Sequence, residues 1–299
     1  MNYIIYLIAY PFLWIVSKLP FPLFYLMSDF FFVILYYVVG YRRKVVYNNI
    51  KLTMPHLTDE EIKRITKASF KHLCDIFLEM AKTFTISEKE LKKRFVFTNI
   101  ETILEVEKQN KSVMLFCAHY ANWEWTIILD RFLNNESYAV YKELNNPYFD
   151  RLFNKIRSRF DTKLIEMRQT IRTIRKNEVE KRHSAYAFIS DQSPMVSDAN
   201  YWQDFMGQEV PVFTGGEALC KKFGMVPMYL KVEYVKRGHY QATFIPLLKE
   251  GENVKEIPNY ELTNRFLKEL EKQLHEAPEY YFWTHKRWKH IGAKPKNIK

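Results

Sequence analysis

Apolar residues dominate the first forty positions almost without interruption. "MNYIIYLIAYPFLWIVS" is seventeen residues without a charge, at the lower limit for crossing a bilayer as a helix. Lys18, the Pro20–Pro22 break and Asp29 interrupt it before "FFFVILYYVVG" restores the apolar run, and Pro11 is expected to kink the first stretch. No Lys or Arg precedes the run and no small-residue cleavage site ends it, so a cleaved signal peptide fits poorly. The pattern predicts an uncleaved membrane anchor over residues 1–40, spanning once or lying partly in the interface; the alternative is a pair of unusually apolar core helices. Tyr3, Tyr6, Tyr10, Trp14 and Tyr25 suit an interface, and Arg42, Arg43 and Lys44 would hold the exit on the cytoplasmic side.

Beyond the anchor, residues 41–299 alternate between helical and strand periods. "YRRKVVYNNIKLTM" reads as a basic helix ending near Pro55. Thr58 and Glu61 form a capping box for a helix whose apolar positions are Ile62, Ile65, Phe70, Leu73, Phe77 and Met80. "SVMLFCA" (112–118), "SYAVYKE" and "SAYAFIS" (184–190) read as buried strands. "NWEWTIILDRFLN", "NPYFDRLFNKIRSRF" and "GGEALCKKF" read as helices, the last ending at Gly224. "MVPMYLKVEYV" and "HYQATFIPLL" flank "KRG" as a hairpin. Strands alternating with helices predict an α/β sheet covered on both faces, with its site where strands end and helices begin.

Composition changes this picture in two places. The net charge is +11, and because Lys18 and Asp29 cancel, residues 41–299 carry all of it. An apolar start on a basic body suits a protein held at an anionic membrane face or one that recruits acidic partners. The basic residues are scattered and no nucleic-acid motif appears, so no nucleic-acid partner is expected. Cys74, Cys117 and Cys220 are too few and too far apart for a disulfide framework. His285 and His290, five apart, miss the helical zinc spacing, and no metal is expected.

The candidate chemistry lies in "CAHYANWEW" (117–125). On one straight helix His119 and Glu124 would point about 140° apart, so a dyad needs His119 in the turn before the helix. Asn122 as N-cap then puts Glu124 in the first turn, able to reach back to the imidazole. A carboxylate on one ring nitrogen leaves the other to accept a proton from a hydroxyl. No Ser or Thr lies in the motif and Cys117 falls inside the strand, which suits direct transfer from a thioester to a bound alcohol. A capping Glu beside an incidental His is the alternative.

These stretches taken in order resemble the lipid A biosynthesis (lauroyl/myristoyl) acyltransferases, within the glycerolipid acyltransferase group with its H-x4-D/E motif. The resemblance rests on "YRRKVVYNNIKLTMP", "AHYANWEW", "NPYFDRLFNKIRSRF", "SDQSP", "WQDFMG" leading to "PVFTGGEALCKKFG", and "PEYYFWTHKRWK", nearly the whole chain. It departs at Ala118, where the family places Gly, and its "NWE" core resembles a subgroup version. The resemblance implies a glycerolipid-acyltransferase-like mixed sheet flanked by helices and an acyltransferase domain over 41–299. It implies His119 as general base and Glu124 as its orienting carboxylate. It also implies an acyl-carrier-protein or, less often, coenzyme A thioester as co-substrate, with no further cofactor. The acceptor would be a glycolipid, a lipid A precursor, at the cytoplasmic face of a bacterial inner membrane. A lysophospholipid, aminolipid or mannoside acceptor, a thioester hydrolase, and a non-enzymatic membrane-surface protein are the rival readings. The anchor favours a monomer.

Five further positions are expected to bind substrate. Arg157 and Arg159 cannot share one helix face, so one enters the site to stabilise an oxyanion or hold phosphate, Arg157 being favoured. Asp191 and Gln192 end a strand and are expected to pair with one of those arginines and shape the site, or simply to cap a loop. Thr214 opens a helix and either binds phosphate there or acts as a plain N-cap. The role of Arg168 stays open. "THKRWK" (284–289) meets lipid head groups or an acidic carrier, or is a solvated charge run.

Overall fold

The computed structural model describes residues 2–295. Helix α1 (Asn2–Lys18) runs through Pro11, and Pro20 stops it. Helix α2 (Phe21–Val33) continues as a π-helical turn over Ile34–Val39 and is closed by Gly40 at φ 64°, a conformation glycine adopts at little cost. Among the described residues, Phe21–Val39 is the one helix long and apolar enough to cross a membrane, at 19 residues and mean hydropathy 1.8. Of the two apolar runs in the expected anchor, the second is the longer apolar helix, the first counting as a shorter one over Ile5–Lys18, and Asp29 within the second pairs with Arg237.

Helix α3 (Arg43–Thr53) leads to α4 (Asp59–Lys82), whose capping box is present: Thr58 Oγ1 accepts from Glu61 N–H while Glu61 accepts from Thr58 N–H. Then follow α5 (Glu88–Arg94), β1 (Phe95–Phe97), α6 (Glu101–Lys108), β2 (Val113–Cys117) and a 3₁₀ segment, Trp123–Arg131. Next come β3 (Ser137–Tyr141), α7 (Pro147–Arg157), β4 (Lys163–Glu166), α8 (Thr170–Val179) and β5 (Ala185–Ile189). The chain closes with β6 (Trp202–Phe205), β7 (Gln208–Pro211), α9 (Gly215–Phe223), β8 (Val226–Lys236), β9 (His239–Pro246) and α10 (Glu261–Glu276).

Seven strands form a mixed sheet in the order β1-β9-β8-β2-β5-β3-β4, parallel except for the β8–β9 hairpin; β6 and β7 make a separate two-stranded ribbon. The chain steps outward from β2 to β3 to β4 and back through β5 to β8. Right-handed crossovers therefore place the 3₁₀ segment and α7 on one face and α8 and α9 on the other. Side chains agree. Tyr240 faces α4 through Glu79, whereas Phe116 packs on Phe266 of α10 and on Gly216 of α9, and Tyr186 meets Asn177 of α8. The apolar N-terminal helices cover the first face: Val16 and Phe24 pack with Leu78 of α4, and Tyr3 and Tyr6 pack on Tyr148 of α7.

Polar pairs fix that docking. The Arg237 guanidinium, in the β8–β9 turn, bonds both Asp29 of α2 and Asp75 of α4, and Ser28 donates to Asp75 as well. Asp75 is buried, so removing its cation leaves a charge with no counterpart. Arg237→Ala is expected to cost about 3 kcal/mol, the lower end for such pairs because the guanidinium is partly exposed. It should also free α2 for proteolysis near Gly40. Thermal unfolding and limited digestion of the detergent-solubilised chain check both.

Candidate active site

Strands β2 and β5 are parallel neighbours with Cys117 level with Ile189. Two residues beyond each strand end, at the sheet's carboxyl edge, stand His119 and Asp191. Their side chains meet, with His119 Nδ1 2.8 Å from Asp191 Oδ1. The turn that presents His119 is set by Ala121 at φ 48° and by the C-terminal segment, which pairs with it: Phe282 N–H donates to the His119 carbonyl and Ala121 N–H to that of Tyr280. The imidazole stacks on Phe282 and meets the edge of Trp123, with centroids 5.6 and 5.2 Å away. Its Nε2 faces the side-chain amide of Gln192 at 3.3 Å, the only polar neighbour recorded for it among the described residues.

Asp191 is 1% exposed. Burial opposes its ionisation, but the electrostatic interaction and hydrogen bond with His119, together with backbone N–H groups, outweigh it and hold the carboxyl below its usual range. Arg287 stands behind it, donating from Nε to the Asp191 carbonyl at 2.6 Å and lying over the Phe205 ring. An ionised Asp191 fixes the Nδ1–H tautomer, so that Nε2 carries the lone pair.

Glu124 does not supply that carboxylate, contrary to expectation. Asn122 caps the segment as predicted, accepting from Trp125 N–H, but the segment is a 3₁₀ helix whose first turn aims Glu124 at α7. There the carboxylate takes both Nε and Nη2 of Arg157, at 2.9 and 2.6 Å, in a two-pronged ion pair. Among the described residues no hydrogen bond joins His119 to Glu124. Trp123, the residue before Glu124 in the chain, touches the imidazole, while Glu124 itself turns to Arg157.

The remaining expected residues divide. Gln192 is in the site. Arg159 is not part of this cluster: it donates to the carbonyl of Thr83, just past the C-terminal end of α4. Asp191 bonds neither Arg157 nor Arg159, its side chain meeting His119 and its carbonyl accepting from Arg287. Thr214 precedes α9 but makes no side-chain cap. In "THKRWK", Thr284, Arg287 and Trp288 are buried while Lys286 and Lys289 are exposed, so it is part of the site's support rather than a plain solvated run. Arg42 and Asn49 hold this stretch by its carbonyls.

Sequence reasoning missed Glu79. It is fully buried and accepts from Tyr25 of α2, Tyr240 of β9 and Asn122 of the site turn, each at 2.7 Å. An acid inside the apolar stripe of α4 was the available signal.

Fold and site together define an α/β protein, apolar at its start, with an imidazole–carboxylate couple where two parallel strands end and a Glu124–Arg157 ion pair on the segment that follows the site turn. The chain belongs to the bacterial lipid A biosynthesis acyltransferase family, whose model matches residues 1–290, and it is an acyltransferase. It is 23% identical over 284 residues to the lipid A biosynthesis lauroyltransferase of Escherichia coli (strain K12), covering 93% of this chain and 89% of that one. The lipid A biosynthesis palmitoleoyltransferase of the same organism and a lipid A biosynthesis acyltransferase of Shigella flexneri are each 22% identical, covering 93% of this chain and 88% of theirs.

Burial pushes the Glu79 carboxyl up to about 7, with the nearby Asp75 adding to it and its three hydrogen bonds opposing. A carboxyl raised above its unfolded value stabilises the fold below about pH 4.5, and that contribution is lost as pH rises toward 7. The span corresponds to at most about 3 kcal/mol. Glu79→Gln should flatten the fall in stability across that window, measured by denaturant unfolding at several pH values; an unaltered slope would contradict the assignment.

Proposed function

We propose that this acyltransferase moves a fatty acyl chain from a carrier-protein thioester to a hydroxyl of a lipid A precursor, at the cytoplasmic face of the inner membrane. The observation that carries the reading is His119, partly exposed and held through Nδ1 by a buried carboxylate, with Nε2 turned to the Gln192 side chain. Nε2 takes the proton of the acceptor hydroxyl as its oxygen attacks the thioester carbonyl. Asp191 stabilises the imidazolium that forms. The negative charge gathers on the former carbonyl oxygen, where Arg157, fixed by Glu124, is the cation assigned to meet it. Collapse re-forms the carbonyl, breaks the C–S bond and expels the thiol, which takes the proton from His119. Glu124 thus acts through Arg157 and Asp191 through His119.

A covalent acyl-enzyme on Cys117 is disfavoured. That thiol is buried within β2, and burial pushes it up to about 12, far from the thiolate a nucleophile needs. The name of the family and of the relatives supports lipid A as acceptor. The exposed apolar faces of α1 and α2 support membrane attachment.

The test is acyl transfer by membranes carrying each variant, supplied with labelled acyl-carrier-protein thioester and lipid A precursor. His119→Ala and Asp191→Asn are expected to lose about 10²–10⁴-fold in rate, the range of a general base. Arg157→Ala should lose about 10²–10³-fold, as for an oxyanion donor. Cys117→Ala should transfer normally. Transfer by His119→Ala at the wild-type rate would end the acid–base reading, and label released as free fatty acid without acceptor would make the protein a hydrolase.

A further inference from the structure

Helix α8 presents a stripe of cations that nothing in the fold uses. Arg168, Arg172, Arg175 and Lys176 are all exposed, and among the described residues none has an ion-pair partner. The spacing 168, 172, 175, 176 keeps them on one side of the helix and of the turn before it. Ile171 and Val179, 61% and 75% exposed, lie among them. The buried side of α8 consists only of Thr170, Ile174 and Asn177, so the helix is attached by a narrow seam and shows most of its surface.

Its place in the fold selects the kind of partner. The apolar helices α1 and α2 cover the face of the sheet that carries α4 and α7, whereas α8 lies on the opposite face with α9 and α10. A lipid surface that receives α1 and α2 lies on the far side of the sheet from α8, so the stripe fits a soluble acidic partner better than anionic head groups. The stripe also begins at the correct edge. Strands β2, β4 and β5 run in one direction, so Arg168, just past β4, shares the carboxyl edge with His119 and Asp191.

We propose that α8 is the docking surface for the acidic carrier protein that brings the acyl thioester. Carboxylates of the carrier meet Arg168, Arg172, Arg175 and Lys176, apolar residues of the same carrier helix meet Ile171 and Val179, and the thioester arm reaches over the carboxyl edge to His119. This rests on the carrier-protein donor proposed above. Surface charges of this kind steer association and set the salt dependence of encounter more than they alter chemistry.

The double variant Arg172→Glu/Arg175→Glu, in the full-length chain in detergent micelles, tests it with two donors: acyl-carrier-protein thioester and protein-free acyl-pantetheine. The expected result is a rise of about tenfold or more in KM for the carrier-linked donor, kcat within about twofold, unaltered use of acyl-pantetheine, and a flattened salt dependence. An unchanged KM for the carrier, or equal losses with both donors, overturns the proposal. So does an unchanged KM accompanied by weaker binding to vesicles of anionic phospholipid, which would give the stripe to the membrane. Failure of the underlying donor reading looks different: the wild type itself would transfer from acyl-coenzyme A and not from the carrier protein.

Discussion

One buried carboxylate joins the parts of this protein that have to stay in register. Glu79 accepts a hydroxyl from the apolar helix α2, a hydroxyl from the sheet and the amide of Asn122, which in turn caps the segment carrying Glu124. A buried carboxyl group with a missing donor is far costlier than the bond it loses, so all three elements are selected together. The indole of Trp125 adds to the constraint by donating to the Glu79 carbonyl and to Thr83. The attachment of the N-terminal helices and the shape of the site turn are therefore not independent features.

The site itself contains two carboxylates with divided roles. The one that orients the imidazole comes from a neighbouring strand end, seventy-two residues away in sequence, and the one inside the motif orients a guanidinium. Backbone geometry makes that division. Ala121 in the left-handed region reverses the chain, and a tight 3₁₀ turn then sends Glu124 toward α7 instead of back over His119. A base must present its lone pair to the acceptor while an oxyanion partner must face the carbonyl, and two separately anchored side chains can meet both demands at once.

Much of this was legible in the sequence, and the limits have physical causes. The buried strands β2, β3 and β5 and the β8–β9 hairpin announce themselves as apolar runs between turn residues. Strands β1, β4, β6 and β7 are three or four residues long, too short to show a period, and "KLIE" is an edge strand with a charge at each end. Helix α8 buries three residues, so its apolar stripe is too thin to read. His119, Glu124, Arg157, Asp191 and Gln192 could be nominated as chemistry, but not their pairing. Pairing depends on which strands are neighbours, and the β2–β5 register alone puts residues 119 and 191 side by side. Arg287 was hidden for a different reason: a basic stretch with aromatics reads as a wet surface, and only tertiary packing buries one arginine of it.

Under the proposed reading a water-borne donor and a membrane-borne acceptor have to reach one site without either blocking the other. The sheet offers a physical solution. Its carboxyl edge belongs to both faces, so a site there is reachable from the apolar helices on one side and from the basic helix on the other. On the side of the apolar helices that edge carries Trp123, against the His119 ring, and the segment whose Glu124 holds Arg157. Asp191, by contrast, follows β5, is buried and is backed by Arg287, so the imidazole is oriented from within the protein. Orientation of the imidazole by a buried carboxylate then needs no group that a bound substrate would have to displace.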